Sequence, residues 1–384
     1  MQSVFQPGDQ SPVQSVAQPA LPAHRCARAE IDLDAFRHNL AVAQRHAGAR
    51  QAWPVIKGDA YGHGMLALAR AVPAALGLCV VDLDEALALR EGGITQPILV
   101  LHGVHDMAAA RAAAVAGLLP VVHHAGQVEL LEGLDENACA GLAGAWLKLD
   151  TGMHRLGVEP EEAAPLRARL TALFGAERVG TMMHFACADE AGHPLTARQI
   201  DTFAACLPGT GAASACNSAA LLAGVEPGDD VVRPGIMLYG GSPLPDRSAA
   251  ELDLRPVMTL RSRVIAVKEI AAGETVGYGA TWRAERPTRL GIIAAGYADG
   301  IPRHTPSGTP VQVAGRDVPT TGRVSMDSIT VDLTDHPAAV LGSDAVIWGP
   351  GAPIDRIAEA AGTIALEVMA RVPPRVPRVY RGGG

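Results

Sequence analysis

Charge of one sign, paired cysteines and long apolar runs are all scarce in this sequence. The 384 residues carry a formal net charge of −8, and no basic block stands out, so nucleic acid is not an expected partner. No stretch of about 18 apolar residues occurs, which excludes a membrane-spanning helix of ordinary length. The six cysteines (Cys26, Cys79, Cys139, Cys187, Cys206 and Cys216) are scattered, without a CxxC pair or metal-type spacing. They predict neither a disulfide framework nor a metal site, and they suit a reducing compartment. Residues 1–24 are rich in Gln, Pro and Ser and lack the apolar centre of a secretory signal, so a disordered extension and a cytoplasmic location are expected. The arginine-bearing run Arg371–Arg381 is interleaved with Pro and Val and reads as a solvated or interface-forming tail.

What is present is a soluble-enzyme composition, nearly half apolar, in a chain long enough for two domains. Short apolar runs at 53–57, 78–82, 98–101, 119–122, 145–150, 179–185, 212–217 and 231–233 alternate with Ala/Leu-rich segments. Those segments have helical spacing, as in Met65, Leu68, Ala69 and Val72. Eight β-then-α units predict an N-terminal (β/α)8 TIM barrel, with a doubly wound sheet as the alternative. After about residue 255 the runs 260–267, 289–294, 310–313, 328–332 and 344–348 are separated by Gly, Pro and Asp. That pattern predicts a C-terminal mostly-β domain. The expected division is 1–24 extension, 25–254 barrel and 255–384 β domain, with residues 25–33 able to pack as a strand on the second domain.

Lys57 ends the first apolar run, in VIKGDAYGHG (55–64), and a Gly-rich turn follows it. At a barrel strand's end its amine would stand at the C-terminal mouth, where barrel active sites lie. A lysine desolvated there has a lowered pKa and can bond covalently to an aldehyde. Taken alone, a lysine just past a strand end is more often a surface residue. The surrounding motifs change that balance.

VIKGDAYGHG resembles the cofactor-lysine motif of the alanine racemase family, which is pyridoxal 5'-phosphate (PLP)-dependent. The similarity continues through KLDTGMHRLG (148–157), MMHFACADE (182–190), CNSAA (216–220), VRPGIMLYG (232–240), VGYGATW (276–282), GYADGIPR (296–303) and GRVSMDSITVDL (322–333). The motifs occur in family order over roughly residues 25–380. The resemblance implies a homodimer that racemises an amino acid with two opposed acid/base groups, Lys57 on one face and Tyr278 of the other subunit on the opposite face. It implies His184 as the group orienting Tyr278, and Arg233 against the cofactor's ring nitrogen. Tyr61, Ser218, Gly235 and Ile236 would hold its phosphate, with Asn217 shaping that loop. Arg155 and the Met326 amide would bind the substrate carboxylate, and Lys148 is a position carbamylated in many members. Tyr297 and Asp327 are expected at the subunit interface.

One position departs from the pattern. Where some members carry a phosphate-reaching tyrosine just before the RVPR motif, this chain has Pro374. That bears on substrate strictness. The expected activity is therefore alanine racemisation, supplying D-alanine for peptidoglycan. A racemase of broader preference (serine, lysine) is the alternative. A PLP decarboxylase on the same fold would need a cysteine in the C-terminal domain, and all six precede residue 217. A non-catalytic PLP-binding protein would consist of the barrel alone.

Overall fold

The computed structural model describes residues 25–382; the expected extension at 1–24 lies outside them. Eight parallel strands form the first domain: β2 (Gln51–Ala52), β3 (Leu78–Val80), β4 (Ile98–Val100), β5 (Leu119–Val122), β6 (Ala145–Lys148), β7 (Val179–Met182), β8 (Ala213–Ser214) and β9 (Val231–Val232). β3 to β8 pair in sequence order, and β2 pairs with β9. The ring closes through a parallel bridge between Val55 and Cys79 and through Asp230 N–H to Ala213 O and Arg233 N–H to Cys216 O. Helices cover the outside, so both faces of the strands are buried, and the strands read as continuous apolar runs rather than alternating ones. The barrel interior is filled by Trp53, Val55, Leu99, Val121, Trp146 and Met182 among others. Aspartates repeatedly cap the helices that follow strands: Asp32, Asp82 and Asp106 each accept from a backbone N–H three residues on.

The second domain is built on one sheet of eight strands: β1 (Arg28–Asp32), β10 (Met258–Ile270), β13 (Thr288–Ile293), β14 (Pro310–Val313), β15 (Arg316–Thr321), β16 (Ile329–Asp332), β17 (Asp344–Trp348) and β18 (Arg378–Arg381). β10 pairs with both β17 and β13, so six of these strands close on themselves. A small hairpin, β11 (Thr275–Val276) with β12 (Trp282–Arg283), carries the Tyr278 turn between its strands. Two short helices, Ile354–Ala360 and Ala365–Ala370, complete the domain. β1 lies in this sheet, between β10 and β18, and Asp32 at its end caps the first barrel helix.

The C-terminal arginine run is not a solvated tail. β18 pairs in parallel with β1, and the Arg378 guanidinium is half-buried, donating to the carbonyls of Gly62, Val372, Pro373 and Val376. Three of these carbonyls belong to the segment itself and the fourth to the loop after Lys57, so one guanidinium folds the segment and straps it to the barrel. Pro374 is exposed on this strap.

Candidate active site

A cavity of about 600 Å³ opens at the C-terminal ends of the barrel strands, a size suited to a small molecule. Lys57, Tyr61, Lys148, Arg155, His184, Asn217, Ser218, Arg233, Gly235 and Ile236 all line it. Tyr278 and Met326 do not. They are 66% and 52% exposed on the second domain, in neighbouring loops. A Cβ on Gly279 would lie 3.3 Å from the Arg323 guanidinium, and Ala298 N–H bonds Met326 O at 2.9 Å. The exposed Tyr297 belongs to the same loop cluster, its N–H on Ser325 O at 3.0 Å.

Lys57 begins an unusual turn. Gly58, Asp59, Ala60 and Tyr61 are consecutively left-handed, with φ of 51–63° and ψ of 44–50°. For each of the three residues bearing a Cβ this costs about 1–2 kcal/mol. Several contacts hold it. Ala60 N–H bonds Ile56 O at 2.9 Å, and Asp59 Oδ1 accepts from Met65 N–H at 2.7 Å, starting the next helix. The buried His63 faces the carbonyls of Ala60 and Tyr61 through Nδ1. Its pKa falls to about 4 because burial disfavours the cation. Two glycines then let the second domain's last helix and the strap approach. A Cβ on Gly62 would stand 2.5 Å from Met369 O, and one on Gly64 1.8 Å from the Tyr380 hydroxyl. Tyr239 supports the turn from below: its hydroxyl donates to Val55 O at 2.8 Å and its ring packs 4.8 Å from Tyr61.

The electrostatics of the cavity are one-sided. Lys57, Lys148, Arg155 and Arg233 converge on it, and among the described residues no carboxylate lines it. Burial, then Arg155, lowers the Lys57 pKa, with Glu85 opposing. Lys148, 8% exposed, drops to about 8 through burial and the charges of Arg233, Arg155 and Lys57. Burial and the same four cations hold His184 well below its ordinary value, so its ring is neutral at pH 7. The chain has three lysines, Lys57, Lys148 and Lys268. Their scarcity is readable from the counts; that two of the three share one cavity is shown by the fold.

Hydroxyls and backbone amides build another part of the cavity wall. Asn217 caps the helix Ser218–Leu222 by accepting from Ala220 N–H at 2.9 Å. Ser218 Oγ accepts from Gly235 N–H at 2.8 Å, just where a 3-10 turn starts at Ile236. A Cβ on Gly235 would come within 3.3 Å of the Tyr61 hydroxyl, so these groups crowd one spot. Converging hydroxyls and turn-start amides are an anion cradle. Arg233, 4% exposed, donates to Ser214 Oγ and to Met183 O at 2.5 Å, so its guanidinium is fixed from behind. Motif reading did not single out His102, which also lines the cavity, or Glu85 and Tyr239, which stand behind it.

A desolvated amine, converging hydroxyls and turn-start amides that suit an anion, and a guanidinium fixed from behind, all lining one cavity at the barrel mouth, define a barrel enzyme with a cationic small-molecule site. Comparison with known proteins narrows the class. Residues 31–243 match the family model "Alanine racemase, N-terminal domain" and 257–380 "Alanine racemase, C-terminal domain". The chain is 48% identical to an alanine racemase of Thioalkalivibrio sulfidiphilus, over 93% of this chain and 99% of that one. The crystal structure of the biosynthetic alanine racemase from Pseudomonas aeruginosa superposes with a TM-score of 0.88 at 44% identity, covering 93% of this chain and all of the other. The Bartonella henselae alanine racemase, solved with covalently bound pyridoxal phosphate, gives 0.81 at 29% identity, covering 93% and 99%. The chain belongs to the alanine racemase family, whose members are PLP-dependent isomerases. Among the described residues no helix is long and apolar enough to cross a membrane.

Proposed function

We propose that the chain interconverts L- and D-alanine with PLP at the barrel mouth, as a cytoplasmic homodimer whose product feeds peptidoglycan synthesis. The observation that carries this reading is the division of the expected residues. Those that would hold the cofactor share one cavity, whereas Tyr278 and Met326 are exposed together on the second domain, where a second copy could use them.

The residues present fit PLP. Lys57 would bond its aldehyde carbon. Ser218, Tyr61 and the amides of Gly235 and Ile236 would hold its phosphate, and Arg233 would face its ring nitrogen. When bound, the cofactor delocalises the electrons left as the substrate's Cα proton departs. Lys57 Nζ takes or returns that proton on one face, and Tyr278 Oη of the second copy does so on the other. Neutral His184 can hydrogen-bond the phenol without adding charge and so orient it. Arg155 offers its two parallel N–H groups to the substrate carboxylate, with the Met326 amide as second donor. Arg233 is buried and is a donor only. It cannot accept a hydrogen bond from a protonated ring nitrogen, so that nitrogen would stay unprotonated, which moderates electron withdrawal and discourages side reactions.

Proton exchange in deuterated water tests the assignment. Lys57→Ala should lose the PLP that borohydride traps on the parent chain. Tyr278→Phe should keep it, yet slow racemisation about 10²–10⁴-fold equally in both directions, with deuterium entering Cα from one enantiomer only. Deuterium entering from both enantiomers at the parent rate would remove Tyr278 as the second base. Rapid turnover of a basic amino acid beside slow turnover of alanine would overturn the substrate.

A further inference from the structure

Glu85 stands at the third position of the helix Leu83–Glu91, whose cap is Asp82. A glutamate there ordinarily reaches back to the cap's own amide. This one does not. Its Oε2 accepts from Val81 N–H at 2.9 Å, and its Oε1 crosses to the neighbouring strand end and accepts from Gly58 N–H at 2.5 Å and Asp59 N–H at 3.3 Å. The last two are the first amides of the left-handed turn. The start of any helical turn leaves N–H groups without partners inside the turn, and successive amides of this kind form a concavity that suits an anion. Glu85 fills it with a carboxylate from another element.

We propose that Glu85 is a positioning residue for Lys57: its carboxylate, bridging the Gly58 and Asp59 amides and the Val81 amide, holds the left-handed turn that sets the Lys57 amine and the Tyr61 hydroxyl in the cavity. The geometry is economical. Lys57 immediately precedes the turn and Tyr61 is its last residue, so one carboxylate fixes both the amine and a member of the anion cradle. Val81 also lines the cavity and directly follows β3, so the same carboxylate ties together the segments that follow two adjacent barrel strands. Its negative charge near Lys57 opposes the loss of amine basicity that burial and Arg155 impose. The inference rests on the reading of Lys57 as the cofactor-bearing lysine.

Substitution separates geometry from charge. A glutamine keeps the size but can present an acceptor at only one of the two oxygen positions, so its NH2 confronts an N–H on one side. Glu85→Ala removes both acceptors, and Glu85→Asp keeps the charge on a shorter stem. Two readouts are made on the full chain: amide hydrogen exchange of the peptide spanning 57–62 without cofactor, and borohydride trapping during titration with PLP. Glu85→Gln and Glu85→Ala should speed exchange in that peptide by about tenfold or more, while distant barrel peptides keep the parent rate. They should raise the PLP concentration for half-maximal trapping by about 10–100-fold. Glu85→Asp should recover part of both effects. With PLP saturating, kcat should fall and KM for alanine should stay within about twofold. Parent-like exchange and trapping in Glu85→Gln would overturn the proposal, as would faster exchange spread over the whole barrel. If Glu85→Ala does not fold, Glu85→Gln decides. Failure of the parent chain itself to trap PLP on Lys57 would instead sink the cofactor reading.

Discussion

Replacing Lys148 by methionine tests the electrostatics of the cavity most directly. The side chain is buried beside Arg233, Arg155 and Lys57, and its pKa falls from 10.5 to about 8. A shift of this size corresponds to about 3 kcal/mol between the protonation states. The sign follows from proton counting. Below pH 8 both the folded and unfolded chains bind the proton, so the full cost of burying the cation weighs on the fold. Between about 8 and 10.5 the unfolded chain binds more protons, and stability recovers as pH rises. In cofactor-free protein and buffer stripped of carbon dioxide, Lys148→Met should therefore be more stable than the parent at pH 7, by up to about 3 kcal/mol. Urea unfolding should show that margin shrinking above pH 8. The same shift leaves about a quarter of Lys148 as free amine at pH 7.5, against about a thousandth at the ordinary value. A free amine combines with carbon dioxide to a carbamate, which turns the charge from repelled by Arg155 to attracted by it. Bicarbonate should thus stabilise the parent and leave Lys148→Met unchanged, and labelled bicarbonate should give a carbamate carbon signal in the parent alone. A methionine variant no more stable at pH 7, with no trend above pH 8, would refute the reasoning about a buried, repelled cation.

Two further outcomes follow from the packing. Gly62→Ala forces a Cβ to 2.5 Å from Met369 O on a backbone with φ of 80°; it should cost at least about 2 kcal/mol, read as a lower melting temperature and weaker PLP trapping. Asp299 is 1% exposed and accepts from Gly296 N–H while pairing with Arg25 and Arg375, and Arg375 also reaches Asp327 beside Met326. Asp299→Asn should cost about 3 kcal/mol and raise KM for alanine if the 325–327 loop serves the substrate carboxylate. An unchanged melting temperature would show that the ion pairs contribute nothing.

The barrel was legible because its strands are buried on both faces, so Leu78–Val80 or Ile98–Val100 stand out as apolar runs against Ala-rich helices. Lys57 was legible only through the motif around it, VIKGDAYGHG, since a lysine ending an apolar run is by itself more often a surface residue. The C-terminal strap was not, since Pro and Arg in Arg371–Arg381 carry no apolar period. Its order comes from pairing with β1 and from Arg378, which gathers three carbonyls of its own segment and the Gly62 carbonyl, hundreds of residues away in sequence. The left-handed turn was hidden too. Gly58 and Gly62 permit it, but Asp59, Ala60 and Tyr61 oppose it on local sterics. Contacts from Glu85, Arg378, His63 and Tyr239 help make it the lower-energy choice. The lowered pKa of Lys148 is likewise tertiary, because it comes from burial at the barrel mouth and from Arg233, Arg155 and Lys57, which folding gathers there. The sequence by itself determined which residues could do chemistry and the elements that carry them. Folding decided how they are aimed and charged, because strain and electrostatic repulsion are properties of neighbours, and neighbours are set by the tertiary structure.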